Sequence, residues 1–531
     1  MSIKLHFHGA ARTVTGSCYV IETEKARVMV DCGLFQGSKT EASLNYRTFA
    51  CDPLKIDALL LTHAHIDHSG LIPKLTRLGF KGRIHATDAT ADLARVMLAD
   101  SAHIQETEVR YLNERNRRRG IDEVEPIYTK EDASFAATLF SEHDYRVWFS
   151  PAPGIRARLW NAGHLLGSAS IEVEVENGDN PPLRLLFSGD IGPEFKLLQP
   201  DPEAPSGFDY VLCESTYGDR DRADRDEATR RTHLLNEVKL AIKRGGAMLI
   251  PSFAVERAQE LLTDLEILVA NKQLPDLPIF IDSPLATRAT RIFQKHADLL
   301  QNGNPLQRAF HSAQVRLIED VETSKALNRL SGTHIIIAAS GMCEAGRIRH
   351  HLRNHLWQPQ TTVLLAGYQA EGTMGRLLEQ GTKRMRIMGE EVQVRATIRK
   401  IDEYSGHADA TELAQWVKAR LPIARGIFLT HGEDPAQLAL ASRLSQFLPA
   451  ERIFRPSLDD IYELTGHEPE LLSSDQPRRL AQDQMAKLDW HNDLASLVLD
   501  LSEAVDKAAD EKSRQKLIRR LRRALEGSEM N

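Results

Sequence analysis

The chain has 531 residues, 42% of them hydrophobic and 27% charged, and carries a net charge of −7. That length implies two large units plus an appendage, and that composition buries a real core, which excludes a chain dominated by disorder. Five cysteines without a Cys-x-x-Cys spacing exclude a disulfide framework, and no leader pattern or membrane-length apolar run is present, so the expectation is a soluble, unexported, cytoplasmic protein with no membrane partner.

Apolar segments of strand type end, one after another, in reactive residues. Residues 26–30 run into Asp31-Cys32-Gly33. Residues 58–61 run into Thr62-His63-Ala64-His65-Ile66-Asp67-His68-Ser69-Gly70, which places four metal-competent side chains within six positions. Side chains of an extended segment alternate sides, so His63, His65 and Asp67 project together while His68 turns in from the next element. Imidazole nitrogens suit zinc, and an adjacent carboxylate lets a second ion sit close by. The alternative, solvated histidines on a polar loop, is disfavoured by four ligands in six residues.

His164 lies between Gly163 and Gly167, whose freedom lets the backbone turn tightly while one imidazole points at a fixed spot. Residues 183–187 run into Ser188-Gly189-Asp190, a turn that presents a carboxylate able to bridge two cations. Residues 210–212, 247–250, 279–281, 334–337 and 426–429 end in Cys213-Glu214-Ser215, Pro251-Ser252, Asp282-Ser283, Ala338-Ala339-Ser340 and Thr430-His431. His407 stands in Tyr404-Ser405-Gly406-His407-Ala408-Asp409, ahead of a helix. His103, His143, His296 and His355 have no such context and read as ordinary polar residues. Strands separated by helical patterns such as 257–262, with reactive residues at strand ends where open sheets build sites, predict an α/β architecture without internal repeats.

Basic segments at 115–119, 347–353 and 519–523 offer contacts to phosphate despite the acidic total, although a solvated helix face explains each equally well. Ser340-Gly341-Met342 is expected to open a helix whose backbone amides take a phosphate, with Arg347 and Arg349 about a turn beyond. A plain strand-to-helix turn is the alternative there.

Asp31 in its Val30-Asp31-Cys32-Gly33 turn, the His-x-His-x-Asp-His run at 63–68, His164 and Asp190 resemble, in order, the motifs of the metallo-β-lactamase fold. Glu214 in Cys213-Glu214-Ser215-Thr216-Tyr217-Gly218, His407 and His431 resemble the three further motifs of the β-CASP nucleases, the branch that includes the endonuclease subunit of pre-mRNA 3′-end processing and its prokaryotic relatives. Residues 9–17, 31–37, 282–286 and 340–342 look like additional signatures of that family, so the likeness spans roughly residues 1–455. The resemblance implies a metallo-β-lactamase αββα sandwich at 1–207 and 396–455, an inserted β-CASP α/β domain at 208–395, and a largely helical C-terminal extension at 456–531. The site would lie in the cleft between the two domains.

The same resemblance implies two zinc ions, with manganese or another divalent metal as the alternative. One would be held by His63, His65 and His164, the other by Asp67, His68 and His431, with Asp190 bridging and Asp31 orienting the cluster from outside. It implies two-metal phosphodiester hydrolysis in which Asp67 and Asp190 belong to the catalytic centre, His407 is the general acid, and Glu214 fixes that imidazole. Products would carry 5′-phosphate and 3′-hydroxyl ends, because water is the nucleophile. The expected substrate is single-stranded RNA, cut endonucleolytically with scope for 5′-to-3′ exonuclease action. His431 favours RNA, since the DNA-repair branch commonly has an aliphatic residue there. A DNA nuclease and a non-catalytic RNA-binding scaffold stand as alternatives, the latter against a full set of ligands. A small-molecule hydrolase leaves the inserted domain without a purpose.

Two features lie outside that pattern. Glu256 stands where the family usually has glycine, and a carboxylate there is expected to repel a phosphate backbone. In the extension, Leu494, Leu497, Leu501, Val505, Leu517, Leu521 and Leu525 follow helical spacing, which predicts a helix that packs on the parent domain, contacts RNA, or mediates self-association as a homodimer.

Overall fold

The computed structural model describes residues 2–222, 226–301, 303–367, 369, 373–464, 468–472 and 478–480, and in the tail 497, 501, 504–505, 507–508 and 510–526. Two mixed sheets lie face to face. The first has eight strands in the order Glu470–Leu471, Asp460–Glu463, Lys4–Phe7, Tyr19–Glu22, Arg27–Val30, Ala58–Leu60, Arg83–Ala86 and Phe140–Glu142. The second has seven: Ile453–Phe454, Ile423–Thr430, Phe208–Glu214, Asn180–Phe187, Ala169–Asn177, Ile155–Asn161 and Phe149–Ala152. Alternation sets which side chains meet between them: Leu5 and Phe7 point inward while Lys4 and His6 point out. Leu5, Phe7, Val28, Val30 and Leu60 pack there on Leu159, Ile171, Val173, Leu185 and Phe187, each such side chain contributing about 1.5–3 kcal/mol by leaving water.

Helices close the outer faces. Ile72–Arg77, Asp88–Arg119 and Lys130–Ala137 cover the first sheet, and Ala410–Lys418 and Asp434–Leu444 cover the second, which gives the expected four-layer sandwich. A third sheet, inserted in sequence, runs Val315–Leu317, Ile279–Ile281, His334–Ala338, Ala247–Pro251, Thr362–Ala366 and Thr397–Ile401, parallel throughout. Arg257–Ala270 and Pro284–Lys295 pack on one face and Ile348–His355 on the other. Burial on both faces is why these strands read as unbroken apolar runs.

Strand pairing moves the expected boundaries. Phe208–Glu214 lies between Asn180–Phe187 and Ile423–Thr430, so the first part of the sandwich ends after Glu214 and not at 207. Thr397–Ile401 pairs with Thr362–Ala366, so the inserted domain extends past 395 to Ile401. Asp460–Glu463 pairs antiparallel with Lys4–Phe7, so the sandwich continues beyond 455. The cause is common to all three: a short apolar segment must find a hydrogen-bonded neighbour, and periodicity does not say which. In the tail, Glu511–Glu526 is a helix carrying Leu517 and Leu521, while Leu494 lies outside the described residues. No helix among the described residues is long and apolar enough to cross a membrane.

Candidate metal centre

The centre is built from strand ends. Strand Arg27–Val30 delivers Asp31 at φ 58°, and its carboxylate accepts the Thr62 amide at 2.8 Å, the Thr62 hydroxyl at 2.8 and 3.0 Å, and Nδ1 of His68 at 2.7 Å. Asp31 thus ties the start of the histidine loop to its end and leaves His68 Nε2 facing inward. Gly33 permits this closure, because a Cβ there would lie 1.6 Å from the Asp67 carbonyl oxygen. His164 donates from Nδ1 to the Gly406 carbonyl at 2.7 Å, which fixes the tautomer and turns Nε2 to the centre. His431 ends the strand Ile423–Thr430 at φ 48°, donates its N–H to the Ala10 carbonyl at 2.8 Å, and meets the Thr216 hydroxyl through Nδ1 at 3.1 Å.

Seven side chains converge as two groups: His63, His65, His164 and Asp190, and then Asp67, His68 and His431, each with its ligand atoms within 4.8 Å of one another. In the first, His65 Nδ1 lies 3.1 Å from His63 Nε2 and 3.0 Å from His164 Nε2, and Asp190 Oδ2 lies 3.5 and 3.6 Å from those two nitrogens. In the second, His431 Nε2 lies 3.1 Å from His68 Nε2 and 3.4 Å from Asp67 Oδ2. Asp190 Oδ1 faces this second group, 3.2 Å from His68 Nε2 and 3.5 Å from His431 Nδ1, yet it is buried and receives no hydrogen bond among the described residues. A divalent ion bound tetrahedrally at about 2.0–2.2 Å has ligand atoms about 3.3–3.6 Å apart. The spacings and the orphaned oxygen both fit the divalent ions that the donor set calls for.

The electrostatics of the first group favour ligation. Burial, with His68 adding, holds His63 well below the usual imidazole range; burial, with His407 adding, does the same to His164; burial takes His65 down to about 4. These rings are therefore neutral at pH 7, the form that binds metal. Burial opposes charge on Asp190 too, but His431 and His68 outweigh it and hold the carboxyl well below its ordinary value.

His407 stands at the rim, its side chain 21% exposed. Its Nδ1 lies 3.1 Å from Glu214 Oε1 and its Nε2 3.9 Å from Asp190 Oδ2. Glu214 is itself fixed by the amides of Ile191 at 2.8 Å and Thr216 at 3.1 Å. Burial works against a charged His407, but Glu214 and Asp190 outweigh it and raise the pKa, which suits a proton donor.

The residues expected to bind substrate are placed differently from one another. Ser340 and Gly341 lie in a loop closed by a Ser340–Ala345 backbone bond, and the helix begins only at Ile348, so the expected helix start at 340–342 is corrected: Ser340 Oγ holds the Ala345 amide, and the chain turns before it coils. Arg347 is engaged by Asp282 at 2.6 Å and the Ile318 carbonyl at 3.3 Å, whereas Arg349 reaches the Glu344 carbonyl at 3.3 Å and keeps its buried Nε unpartnered among the described residues. Glu256 also departs from expectation. It is buried against Leu166, Lys196 and Gln199 of the sandwich and is not presented to solvent. Thr62, Thr216 and Lys196 join the site without a sequence signal of their own, although Thr62 and Thr216 stand inside the motifs at 62–70 and 213–218.

Three family models match the chain: Metallo-beta-lactamase superfamily over residues 11–240, Beta-Casp domain over 258–378, and Zn-dependent metallo-hydrolase RNA specificity domain over 391–456. The chain is 36% identical over 446 residues to Ribonuclease TTHA0252 of Thermus thermophilus, a match covering 82% of this chain and 95% of that protein. It is 30% identical to the RNase J-like protein of Methanocaldococcus jannaschii, covering 83% and 94%. Similarity to Transcription termination factor FttA of Methanosarcina mazei is 29%, covering 83% and 69%.

Proposed function

The chain belongs to the β-CASP ribonucleases of the metallo-β-lactamase superfamily and is a metal-dependent hydrolase of RNA, and from that premise we propose a two-zinc phosphodiesterase acting in the cytoplasm on single-stranded RNA. One observation carries the reading: the two oxygens of Asp190 face two separate ligand groups, as a bridging carboxylate would. His63, His65 and His164 would hold one ion, Asp67, His68 and His431 the other. Divalent ions held by these residues would supply Lewis-acid chemistry, activating water and offsetting charge on a scissile phosphate.

The side chains supply the rest. Asp31 fixes the direction of His68, and Gly406 that of His164, so the ligand nitrogens are set before substrate arrives. Glu214 accepts the Nδ1 proton of His407, which leaves the Nε2 proton for the departing 3′ oxygen. Products would carry 5′-phosphate and 3′-hydroxyl ends. Ser340 and Gly341, with Arg347 and Arg349 behind them, would guide the strand from the C-terminal edge of the third sheet, where open α/β sheets take ligands. Endonuclease action with 5′-to-3′ exonuclease capacity, and a homodimeric assembly, complete the proposal.

The test is cleavage of 5′-labelled and 3′-labelled single-stranded RNA, beside matched DNA and a His65→Ala control. Wild type cutting RNA no better than His65→Ala would sink the assignment, and equal cutting of DNA would move it to the DNA-nuclease reading.

A further inference from the structure

We infer that the buried Lys196–Glu256 pair couples the inserted domain to His164, so that docking of one domain sets the metal affinity of the other; this rests on the reading of His164 as a ligand. The starting observation is backbone strain. Glu256 has φ 70° and ψ −63°, and the Arg257 N–H reaches back to the Val255 carbonyl at 3.0 Å, which closes a γ-turn of the rare, strained hand. Glycine takes that conformation without cost, whereas a residue with a side chain persists there only when its surroundings over-determine it. They do so here through the carboxylate. It lies 3.2 Å from Lys196 Nζ, accepts the Leu166 amide at 3.3 Å, and takes the Gln199 amide group at 3.1 Å on both oxygens. Every one of these partners belongs to the sandwich, and Glu256 to the insert.

Lys196 gives the contact its reach. It is 3% exposed, and its Nζ also donates to the carbonyl of His164. A buried ammonium is tolerated only when paired, and Glu256 is the carboxylate that pairs it. The loop 163–168 is therefore held from its own domain by Gly406 and Ser168 and from the insert by Glu256, directly at Leu166 and through Lys196 at His164. Glu260, one helical turn on, is buried beside the pair; burial, with Glu256 adding and Lys196 opposing, pushes its carboxyl up to about 7. The pair is thus the centre of an ionic network that crosses the domain interface. Deleting the carboxylate strands a buried lysine against the backbone of a ligand, and the loop must shift to rehydrate it.

The experiment measures Zn²⁺ binding without RNA, by competition with a chromophoric chelator, for wild type, Glu256→Gln, Glu256→Gly, Lys196→Gln and His164→Ala. Removing outer partners of metal ligands typically costs about 10–100-fold in affinity, and that loss is expected at one of the two ion positions for each Glu256 and Lys196 variant. On single-stranded RNA, kcat of these variants should fall at limiting Zn²⁺ and recover at saturating Zn²⁺, with KM unchanged. Glu256→Gly separates positioning from folding, because it relaxes the turn while deleting the carboxylate: an unchanged or higher melting temperature with weaker Zn²⁺ binding supports the coupling. Binding within about twofold of wild type in all three variants, with His164→Ala defective, would overturn it. His164→Ala holding Zn²⁺ as tightly as wild type would overturn the ligand assignment beneath it.

Discussion

His85 and His143 share a hydrogen bond at 2.8 Å, and the His143 ring stacks on Phe149 with centroids 3.7 Å apart. Burial, with His143 adding, takes His85 from 6.5 to about 4. A ring with a folded pKa below its unfolded value binds fewer protons when folded, so it contributes stability above pH 6.5 that is lost as pH falls towards 4. His85→Phe should therefore flatten the acid slope of the melting temperature of the metal-free protein between those limits; superimposable slopes would show that His85 titrates freely. At the centre, His407→Ala is expected to keep its metal and lose about 10²–10⁴-fold in turnover, the usual worth of a general acid. Metal analysis showing lost zinc would place His407 among the ligands instead, as its 3.9 Å approach to Asp190 permits. The convergence of the candidate ligands was legible because they are dense in sequence or flanked by glycine. Lys196 was not, since a lone lysine in a loop carries no sign of what it will be buried against.

At the scale of elements, the helix Glu511–Glu526 carries Lys512, Arg514, Lys516, Arg519, Arg520, Arg522 and Arg523 against Glu511 and Glu526, in a chain of net charge −7. Each phosphate such a helix neutralises contributes about 0.7 to the salt slope of single-strand binding. Removing residues 511–531 is expected to weaken RNA binding and flatten its salt dependence while leaving zinc content intact. An unchanged slope, read by filter binding, would make the helix a solvated face, and light scattering on the same protein reads its part in self-association. Elements at 58–61, 247–250 and 334–337 were legible as apolar runs ending in reactive residues. The helix start expected at 340–342 was not, because the Ser340 side chain satisfies the Ala345 amide and postpones coiling to Ile348.

For the whole molecule, the candidate metal centre gathers residues from 63 to 431 that come from both sheets, so an ion bound there would cross-link the sandwich. A ligand that binds only the folded state stabilises it by about 2.7 kcal/mol at a hundredfold excess over its Kd. Chelation should lower the melting temperature of wild type by more than that of His431→Ala, which keeps the first ligand group and loses only the second; equal shifts would show that His431 is no ligand. The order of the motifs made the inserted topology legible, and the 207, 395 and 455 boundaries failed only because strand partners are chosen in three dimensions.

His431 hangs its amide on the Ala10 carbonyl, and Asp460–Glu463 pairs beside Lys4–Phe7. A chain still on the ribosome would therefore present Asp67 and His68 without His431, which completes the second candidate group. Synthesis must pass residue 431 before the centre closes, and the edge of the first sheet is sealed later still. A nuclease built this way would gain its second ligand group only after residue 431 has been made.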